Sequence, residues 1–237
     1  MDLLQAARQF STRAHEGERL KYVPGPYYTH PKAVSERQWD VPAKVEALLH
    51  DTVESHVKNT LGKHPDPHQE ERVIAEYLKY IQKYFRGKGC DISDLIPDID
   101  ILTKRTTDTD YGKYIDRIID RAKRTGSLRA LLVKLADLDD NSLPERNPRL
   151  SMQTDKDRAR LARYTAAIYQ IENSFPGIEL RPSVKDRPRV RDLPGGGRRT
   201  LADLAAKEEV GSRGVIRRAR RPGFKKPDAK PPEPHKH

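Results

Sequence analysis

Residues 69–86 read QEERVIAEYLKYIQKYFR and carry apolar side chains at steps of three and four. This spacing is that of one face of an α-helix, so the segment predicts an amphipathic helix. Similar spacing recurs on both sides of it, whereas alternation of apolar and polar residues with a period of two is absent. The sequence therefore predicts an all-α fold. We expect helices near residues 2–16, 41–54, 69–86, 110–125, 127–141 and 155–174.

The composition of the 237 residues is polar, with 35% hydrophobic and 34% charged residues. The single cysteine, Cys90, excludes an internal disulfide and a cysteine-based zinc cage, and it is typical of a reducing compartment. No apolar run approaches the roughly 18 residues of a transmembrane helix. The N-terminus also lacks the apolar stretch and cleavage site of a secretory signal. We therefore expect a cytoplasmic protein with no membrane partner.

The net charge of +11 is distributed unevenly along the chain. Residues 178–237 hold 17 Lys and Arg against 8 Asp and Glu, a net charge of +9, which leaves +2 for the first 177 residues. The same segment holds eight prolines and the run Gly195–Gly197. Such a composition buries too little apolar surface to offset the entropy of ordering. We predict a helical domain over 1–177 and a basic, Pro/Gly-rich, mostly disordered tail over 178–237, with at most weak nucleic-acid contact through that tail.

Two segments place ionisable side chains directly beside apolar helical residues: ALLHDTVE at 47–54 and VKLADLDDN at 133–141. In the first, His50 and Asp51 are adjacent. Because neighbours on a helix point about 100° apart, both can reach one ion only near a helix end or a crossing. In the second, Asp137 is embedded in an apolar helix. A buried carboxylate there is costly unless it is paired, hydrogen-bonded or bound to a metal.

A third segment, YYTHP, contributes His30. Two His and two Asp without cysteine form a mixed nitrogen and oxygen donor set, which suits Mn²⁺, Fe²⁺ or Zn²⁺. Glu54 lies one helical turn after His50, and Asn141 lies one turn after Asp137, so each shares a face with its partner. By spacing alone, ordinary paired side chains and a metal site both stay open.

The three segments, in this order, resemble motifs of the HD-domain hydrolases of the RelA/SpoT type, specifically the stand-alone small alarmone hydrolases. The similarity covers about residues 3–174. It implies an HD-domain helical bundle and a metal-dependent enzyme that hydrolyses the 3′-pyrophosphate of (p)ppGpp, giving GDP or GTP and pyrophosphate. No features of an alarmone synthetase are visible, so we expect hydrolysis without synthesis. Further matching positions are Phe10-Ser11, Arg13 to Gly17, Lys21, Pro26, Leu102 to Lys104, Tyr111 and Tyr114-Ile115.

The resemblance also assigns roles. It implies one divalent ion, usually Mn²⁺, bound by His30, His50, Asp51 and Asp137. Such an ion neutralises phosphate charge and lowers the pKa of a bound water. Glu54 matches the acidic residue that activates this water, and Asp51 acts with it in catalysis. Lys21 and Asn141 match positions that contact the nucleotide substrate.

Two departures from the family pattern leave alternatives open. The family usually continues the second motif as Glu-Asp, whereas Ser55 follows Glu54 here. The family commonly has Arg-Lys where this chain has Leu20-Lys21, and a leucine offers no cation–π interaction to a base. The alternatives are an HD-domain phosphohydrolase of another nucleotide, (p)ppApp or NADPH, and a non-catalytic regulatory or nucleic-acid-binding protein. The sequence does not predict the oligomeric state.

Overall fold

The computed structural model describes residues 1–143 and 154–182. Within these two ranges the chain forms α-helices and no strands, so the predicted all-α fold is confirmed there. None of these helices is both long enough and apolar enough to cross a membrane. The helices are α1 (Leu3–Ala14), α2 (Thr29–Glu36), α3 (Val41–Leu49), α4 (Thr52–Leu61), α5 (Pro67–Arg86), α6 (Ile96–Leu102), α7 (Tyr111–Thr125), α8 (Arg129–Ser142) and α9 (Asp155–Ser174).

Polar side chains fix where several of these helices begin and end. The carboxylate of Asp2 accepts a hydrogen bond from the backbone N–H of Gln5 and starts α1, at 2.8 Å. Asp40 starts α3 in the same way by accepting from the N–H of Ala43, also at 2.8 Å. These bonds satisfy N–H groups that have no partner within the helix. Gly126 ends α7 in the left-handed region, at φ +70°, which glycine adopts without steric cost.

The helix predicted over 41–54 is interrupted. The helices α3 and α4 are separated by a turn at His50 and Asp51. Two further helices, α2 and α6, are not predicted by the apolar spacing. They have eight and seven residues, and each contains a proline in its first turns, so neither presents a full amphipathic repeat.

The core places α3 and α8 at the centre of the bundle. Helix α3 packs against α1, α2, α6 and α8, while α8 also packs against α2, α7 and α9. Helix α5 buries one face against this core and packs on α4 and α6. The segment 69–86 is therefore a packing helix. Its buried residues are Glu70, Ile74, Leu78, Ile81 and Phe85.

Residues 178–182 continue the packed part of the chain beyond α9. Leu180 is buried, and the backbone N–H of Arg181 donates to the carbonyl of Arg37 at 3.0 Å. The guanidinium Nε of Arg37 donates back to the carbonyl of Arg181 at 2.8 Å. The remainder of the predicted tail, residues 183–237, lies outside the described residues, and the division at 177/178 stays a prediction.

Candidate metal centre and adjoining cavities

A cluster of His and Asp side chains forms where α2, the α3–α4 turn and α8 meet. Helix α2 contributes His30, the turn contributes His50 and Asp51, and α8 contributes Asp137. Both histidines are almost fully buried. Adjacent residues within a helix point about 100° apart. Because the helix is interrupted at His50 and Asp51, both side chains face the same point. Packing thus brings together all four residues that the sequence predicts as ligands.

The atoms of this cluster surround a common centre. The ligand atoms of His30, His50 and Asp51 all lie within 4.8 Å of one another. The Nε2 atoms of His30 and His50 lie 3.5 Å and 3.1 Å from Oδ2 of Asp51. They lie 3.0 Å and 3.7 Å from Oδ1 of Asp137. The donor atoms of His30, His50 and Asp51 thus form a group that a single ion could bind, and Oδ1 of Asp137 lies beside both imidazole nitrogens.

Hydrogen bonds at the far side of each imidazole orient its Nε2 atom toward this centre. Nδ1 of His50 lies 2.7 Å from the carbonyl oxygen of Ala47, which can only accept, so Nδ1 carries the proton. Nδ1 of His30 lies 2.7 Å from Oδ2 of Asp140. In the neutral imidazole this arrangement leaves a lone pair on Nε2, which is the form that binds metals. Nε2 of His50 is buried and has no hydrogen-bond partner in the part of the chain that the structure describes.

The two aspartates are held by donors from three sides. The hydroxyl of Tyr27 donates to Oδ2 of Asp51 at 2.6 Å. The amide of Asn141 donates to Oδ1 of Asp137 at 2.6 Å, and Nζ of Lys134 donates to the other oxygen of Asp137 at 2.8 Å. Such bonds fix the carboxylates in place and keep them charged.

The electrostatics of the cluster are those of charged groups held together in a buried site. Burial would raise the pKa of Asp51, but the charges of His50 and His30 outweigh it and lower that pKa. Burial would likewise raise the pKa of Asp137, but Lys134 and the two histidines lower it well below its ordinary value. A buried carboxylate, Asp137, and a half-buried one, Asp51, stay ionised beside two imidazoles and form a donor set suited to a divalent cation. The His30–His50–Asp51 cluster could hold a metal ion.

A cavity of about 630 Å³ opens beside Asp51. Glu54 lies on its wall, and one oxygen of that carboxylate accepts the backbone N–H of Lys104 at 2.7 Å. Burial and the negative charge of Asp51 raise the pKa of Glu54 to about 7, against the opposing charge of Lys134. A carboxyl group with a near-neutral pKa is suited to accept a proton at physiological pH.

Cations are frequent on the wall of this larger cavity. The side chains of Arg19, Lys58 and Lys63 form no ion pair within residues 1–143 and 154–182. By contrast, the buried carboxylate of Glu70 on the same wall is engaged by the N–H and hydroxyl of Thr106. The wall also carries the carboxylates of Glu18, Asp51 and Glu54, so the cavity offers basic groups to an anionic ligand next to the acidic residues of the site. Its basic side chains are Arg19, Lys21, Lys58, Lys63 and Lys104.

A smaller cavity of about 120 Å³ is lined by Lys21 and Asn141, the two residues predicted to contact the substrate. Lys21 lines the larger cavity as well, as does Tyr27, so the two cavities share a boundary. The ammonium group of Lys21 lies 3.4 Å from Asp157 and remains largely exposed. Leu20 also lines the smaller cavity, in a wall with aromatic side chains.

Several residues of the site are not assigned a role by the sequence. Asp140 and Lys134 lie at i+3 and i−3 from Asp137, so helical spacing alone places them on its face and could have found them. Tyr27 lies within the quoted YYTHP segment, but nothing in that segment indicates its bond to Asp51. His15 is buried at the end of α1, and its place in a turn gives no sign of that burial in the sequence. Asp140 and Tyr27 reach the cluster through tertiary contacts with His30 and Asp51, whereas Lys134 contacts Asp137 within α8.

The fold and the cluster together describe an all-α protein with a candidate metal centre, and comparison with known proteins adds a likeness in fold. No family model matches the chain, and no curated protein matches it. Among solved structures, it is similar to one described as a metazoan ortholog of SpoT that hydrolyzes ppGpp and plays a role in starvation responses. The TM-score is 0.51 and the identity 19%, over 90% of this chain and 96% of that chain. At this identity the likeness shows the fold.

Proposed function

We propose that this chain is a metal-dependent hydrolase that removes the 3′-pyrophosphate from (p)ppGpp, giving GDP or GTP and pyrophosphate. The observation that carries the proposal is the convergence of two imidazole nitrogens and two carboxylate oxygens beside a cavity rich in cations. The fold likeness to a protein that hydrolyzes ppGpp supports it. Weak nucleic-acid contact through residues 178–237 stays a prediction.

His30, His50, Asp51 and Asp137 are proposed to bind one divalent ion, with Mn²⁺ as the expected metal. Nε2 of His50 supports this assignment, because it is buried, makes no hydrogen bond among the described residues and faces the carboxylates of Asp51 and Asp137. A bound divalent ion supplies charge neutralisation at the phosphate and a lowered pKa for water. The ion pair between Lys134 and Asp137 keeps one of the ligands ionised within the core.

Glu54 is proposed as the base of the reaction, acting beside Asp51. Its contact with the backbone of Lys104 holds one carboxylate oxygen in place and leaves the other able to accept a proton from the attacking water. Its pKa of about 7 matches this task near neutral pH. A pyrophosphate ester repels hydroxide, so positioning and charge neutralisation account for most of the rate increase that such a site can provide.

The cavity cations support a substrate with phosphates at two positions. Arg19, Lys58 and Lys63 supply positive charge on the wall of the larger cavity, which Asp51 also lines. Lys21 and Asn141, which line the smaller cavity, are proposed to contact the same nucleotide. A molecule such as (p)ppGpp carries phosphate groups on both sides of the ribose and fits this distribution of charge.

A second candidate substrate is (p)ppApp, favoured by the position of Leu20 in the wall of the smaller cavity. A leucine packs against a purine through its apolar surface and provides no guanidinium to stack on it. Recognition by such a wall depends on shape and apolar contact, so adenine is accommodated as well as guanine.

The test is hydrolysis of ppGpp by purified protein in Mn²⁺, with the products resolved by ion-exchange chromatography. We expect GDP and pyrophosphate from the wild type and from the matched control Asp120→Ala, an exposed aspartate of α7. We expect no turnover from Asp51→Ala or Glu54→Gln. Intact ppGpp with the Mn²⁺-loaded wild type would reject the substrate. The same assay with ppApp and NADPH then separates another nucleotide hydrolase from a non-catalytic regulatory or nucleic-acid-binding protein.

A further inference from the structure

We propose that Glu18 supplies the second carboxylate of the hydrolytic site, in place of an acidic residue after Glu54. The inference rests on the proposed function, because it assigns a further residue to the same reaction. The segment at 47–54 is followed by Ser55 rather than by an acidic residue, and a serine cannot carry a negative charge at neutral pH.

The structure places a carboxylate directly against this serine. Glu18 lies in the turn that follows α1, and its Oε2 atom accepts a hydrogen bond from Oγ of Ser55 at 3.2 Å. Glu18 and Ser55 line the larger cavity together with Asp51 and Glu54. A carboxylate that is missing from the chain position after Glu54 is therefore present in space, contributed by another segment.

The position of Glu18 is fixed by its neighbours. Its Oε2 atom lies 3.0 Å from Nδ1 of the buried His15, and its backbone N–H donates to the carbonyl of His15 at 3.1 Å. Its own carbonyl accepts the backbone N–H of Tyr27 at 3.0 Å. The hydroxyl of Tyr27 donates to Asp51, so a short chain of contacts connects Glu18 to the metal cluster. Such support is what a catalytic side chain needs in order to keep its geometry.

The chemistry gives this carboxylate a definite task. The attacking water has two O–H bonds. Glu54 accepts the proton of one as the water oxygen bonds to phosphorus and the bond from phosphorus to the ribose O3′ breaks. Glu54 then returns that proton to O3′, while the second hydrogen stays on the oxygen that leaves within pyrophosphate. Glu18 accepts a hydrogen bond from this second O–H and so orients the water, because an ionised carboxylate offers about four acceptor positions and Ser55, His15 and Asn59 take up three.

The first test moves the carboxylate from one segment to the other. Glu18→Gln keeps the size of the side chain and an acceptor for Ser55, and we expect kcat to fall about a hundredfold with unchanged thermal stability. Adding Ser55→Asp to Glu18→Gln is expected to restore at least a tenth of the wild-type kcat. The matched control is Glu16→Gln, an exposed residue of the same turn. Wild-type kcat in Glu18→Gln would overturn the proposal, as would a loss that Ser55→Asp does not repair.

A second measurement does not depend on turnover. A carboxylate that faces the reacting phosphate repels a bound anion, so Glu18→Gln should bind inorganic pyrophosphate about three to ten times more tightly than the wild type in Mn²⁺. Isothermal titration calorimetry measures this. Equal affinities in the two proteins would overturn the proposal even where ppGpp is hydrolysed. Tighter binding by Glu18→Gln together with an intact ppGpp would uphold the position of Glu18 and reject only the proposed substrate.

Discussion

Nζ of Lys134 lies 2.8 Å from Oδ2 of Asp137, one turn further along α8, and both side chains are buried. The other oxygen of Asp137 faces His30 and Asn141. Burial would lower the pKa of Lys134, but the charge of Asp137 outweighs it and raises that pKa well above its ordinary value. The lysine therefore stays charged in the core and neutralises the side of the carboxylate that points away from the histidines.

Replacing this lysine should destabilise the fold as well as the candidate metal centre. Lys134→Met leaves a buried carboxylate oxygen without its charged partner, a change that costs about 3 kcal/mol in comparable sites. We expect the free energy of unfolding in urea with EDTA to fall by about that amount. Lys113→Met, at an exposed position of α7, should behave as the wild type. Adding Asp137→Asn to Lys134→Met should recover part of the loss, and a Lys134→Met protein as stable as the wild type would contradict the argument.

The contact between Asp140 and His30 predicts an effect on metal binding from a residue that is not a proposed ligand. Asp140→Ala removes the carboxylate that lies 2.7 Å from Nδ1 of His30, so the ring is no longer held in its metal-binding orientation. Such outer partners are commonly worth a factor of about 10 to 100 in metal affinity. We expect the Mn²⁺ dissociation constant, measured by calorimetry, to rise by about that factor.

Two variants make this measurement specific. Asp140→Asn keeps an oxygen that can accept from His30 and should retain more affinity than Asp140→Ala. Asp120→Ala, on the exposed side of α7, should bind Mn²⁺ as the wild type does. If Asp140→Ala bound Mn²⁺ with wild-type affinity, the orientation of His30 would not depend on this bond.

Features that depend only on local sequence, such as a long amphipathic helix, could be predicted from the sequence. The stripe of α5 repeats at helical spacing over many residues, so its helix and its buried face are evident in the sequence. His50, Asp51 and Asp137 adjoin apolar helical residues, and that unusual setting marks them as candidate site residues in the sequence alone. Their convergence follows only from the motif resemblance, because it depends on how α3 and α8 cross.

Other features depend on tertiary contacts that no short segment encodes. The interruption at His50 and Asp51 is one, since local propensity favours an unbroken helix over 41–54. The meeting of Glu18 with Ser55 is another, because the two residues lie far apart in sequence and approach through the turn after α1. Helix α2 is too short to show a repeat, although it contributes His30.

The cations of the larger cavity predict a change in substrate affinity without a change in chemistry. Lys58→Met and Lys63→Met each remove a positive charge from the cavity wall, and neither residue is a proposed metal ligand. We expect KM for ppGpp to rise about threefold to tenfold, with kcat within about twofold of the wild type, because these groups bind the ground state and the transition state alike.

Salt and a control residue test the electrostatic origin of this effect. The rise in KM should shrink as ionic strength increases, since exposed charges are screened. Lys79→Met, at an exposed position of α5, should leave KM unchanged. A fall in kcat with constant KM would place Lys58 or Lys63 in the chemical step and contradict this assignment.

A second buried charge network, around Glu46 of α3, predicts how stability depends on pH. Burial raises the pKa of Glu46 from its ordinary 4.5 to about 9, and the nearby Asp98 contributes in the same direction. Arg129 opposes the shift from 3.0 Å but does not cancel it. The folded protein therefore holds a proton on Glu46 at neutral pH, whereas the unfolded chain does not.

The sign of the resulting pH dependence follows from the direction of this shift. Because the folded state binds the extra proton, the stabilisation by Glu46 is complete below about pH 4.5 and is lost as the pH rises toward 9. Between pH 6 and 8 the free energy of unfolding of the wild type should fall, relative to Glu46→Gln, by about 1.4 kcal/mol per pH unit. The free energy of unfolding of both proteins is measured in urea at pH 6, 7 and 8. Glu76→Gln, at an exposed position of α5, should show the same pH dependence as the wild type. If the free energies of unfolding of the wild type and Glu46→Gln changed equally with pH, Glu46 would be ionised in the folded protein.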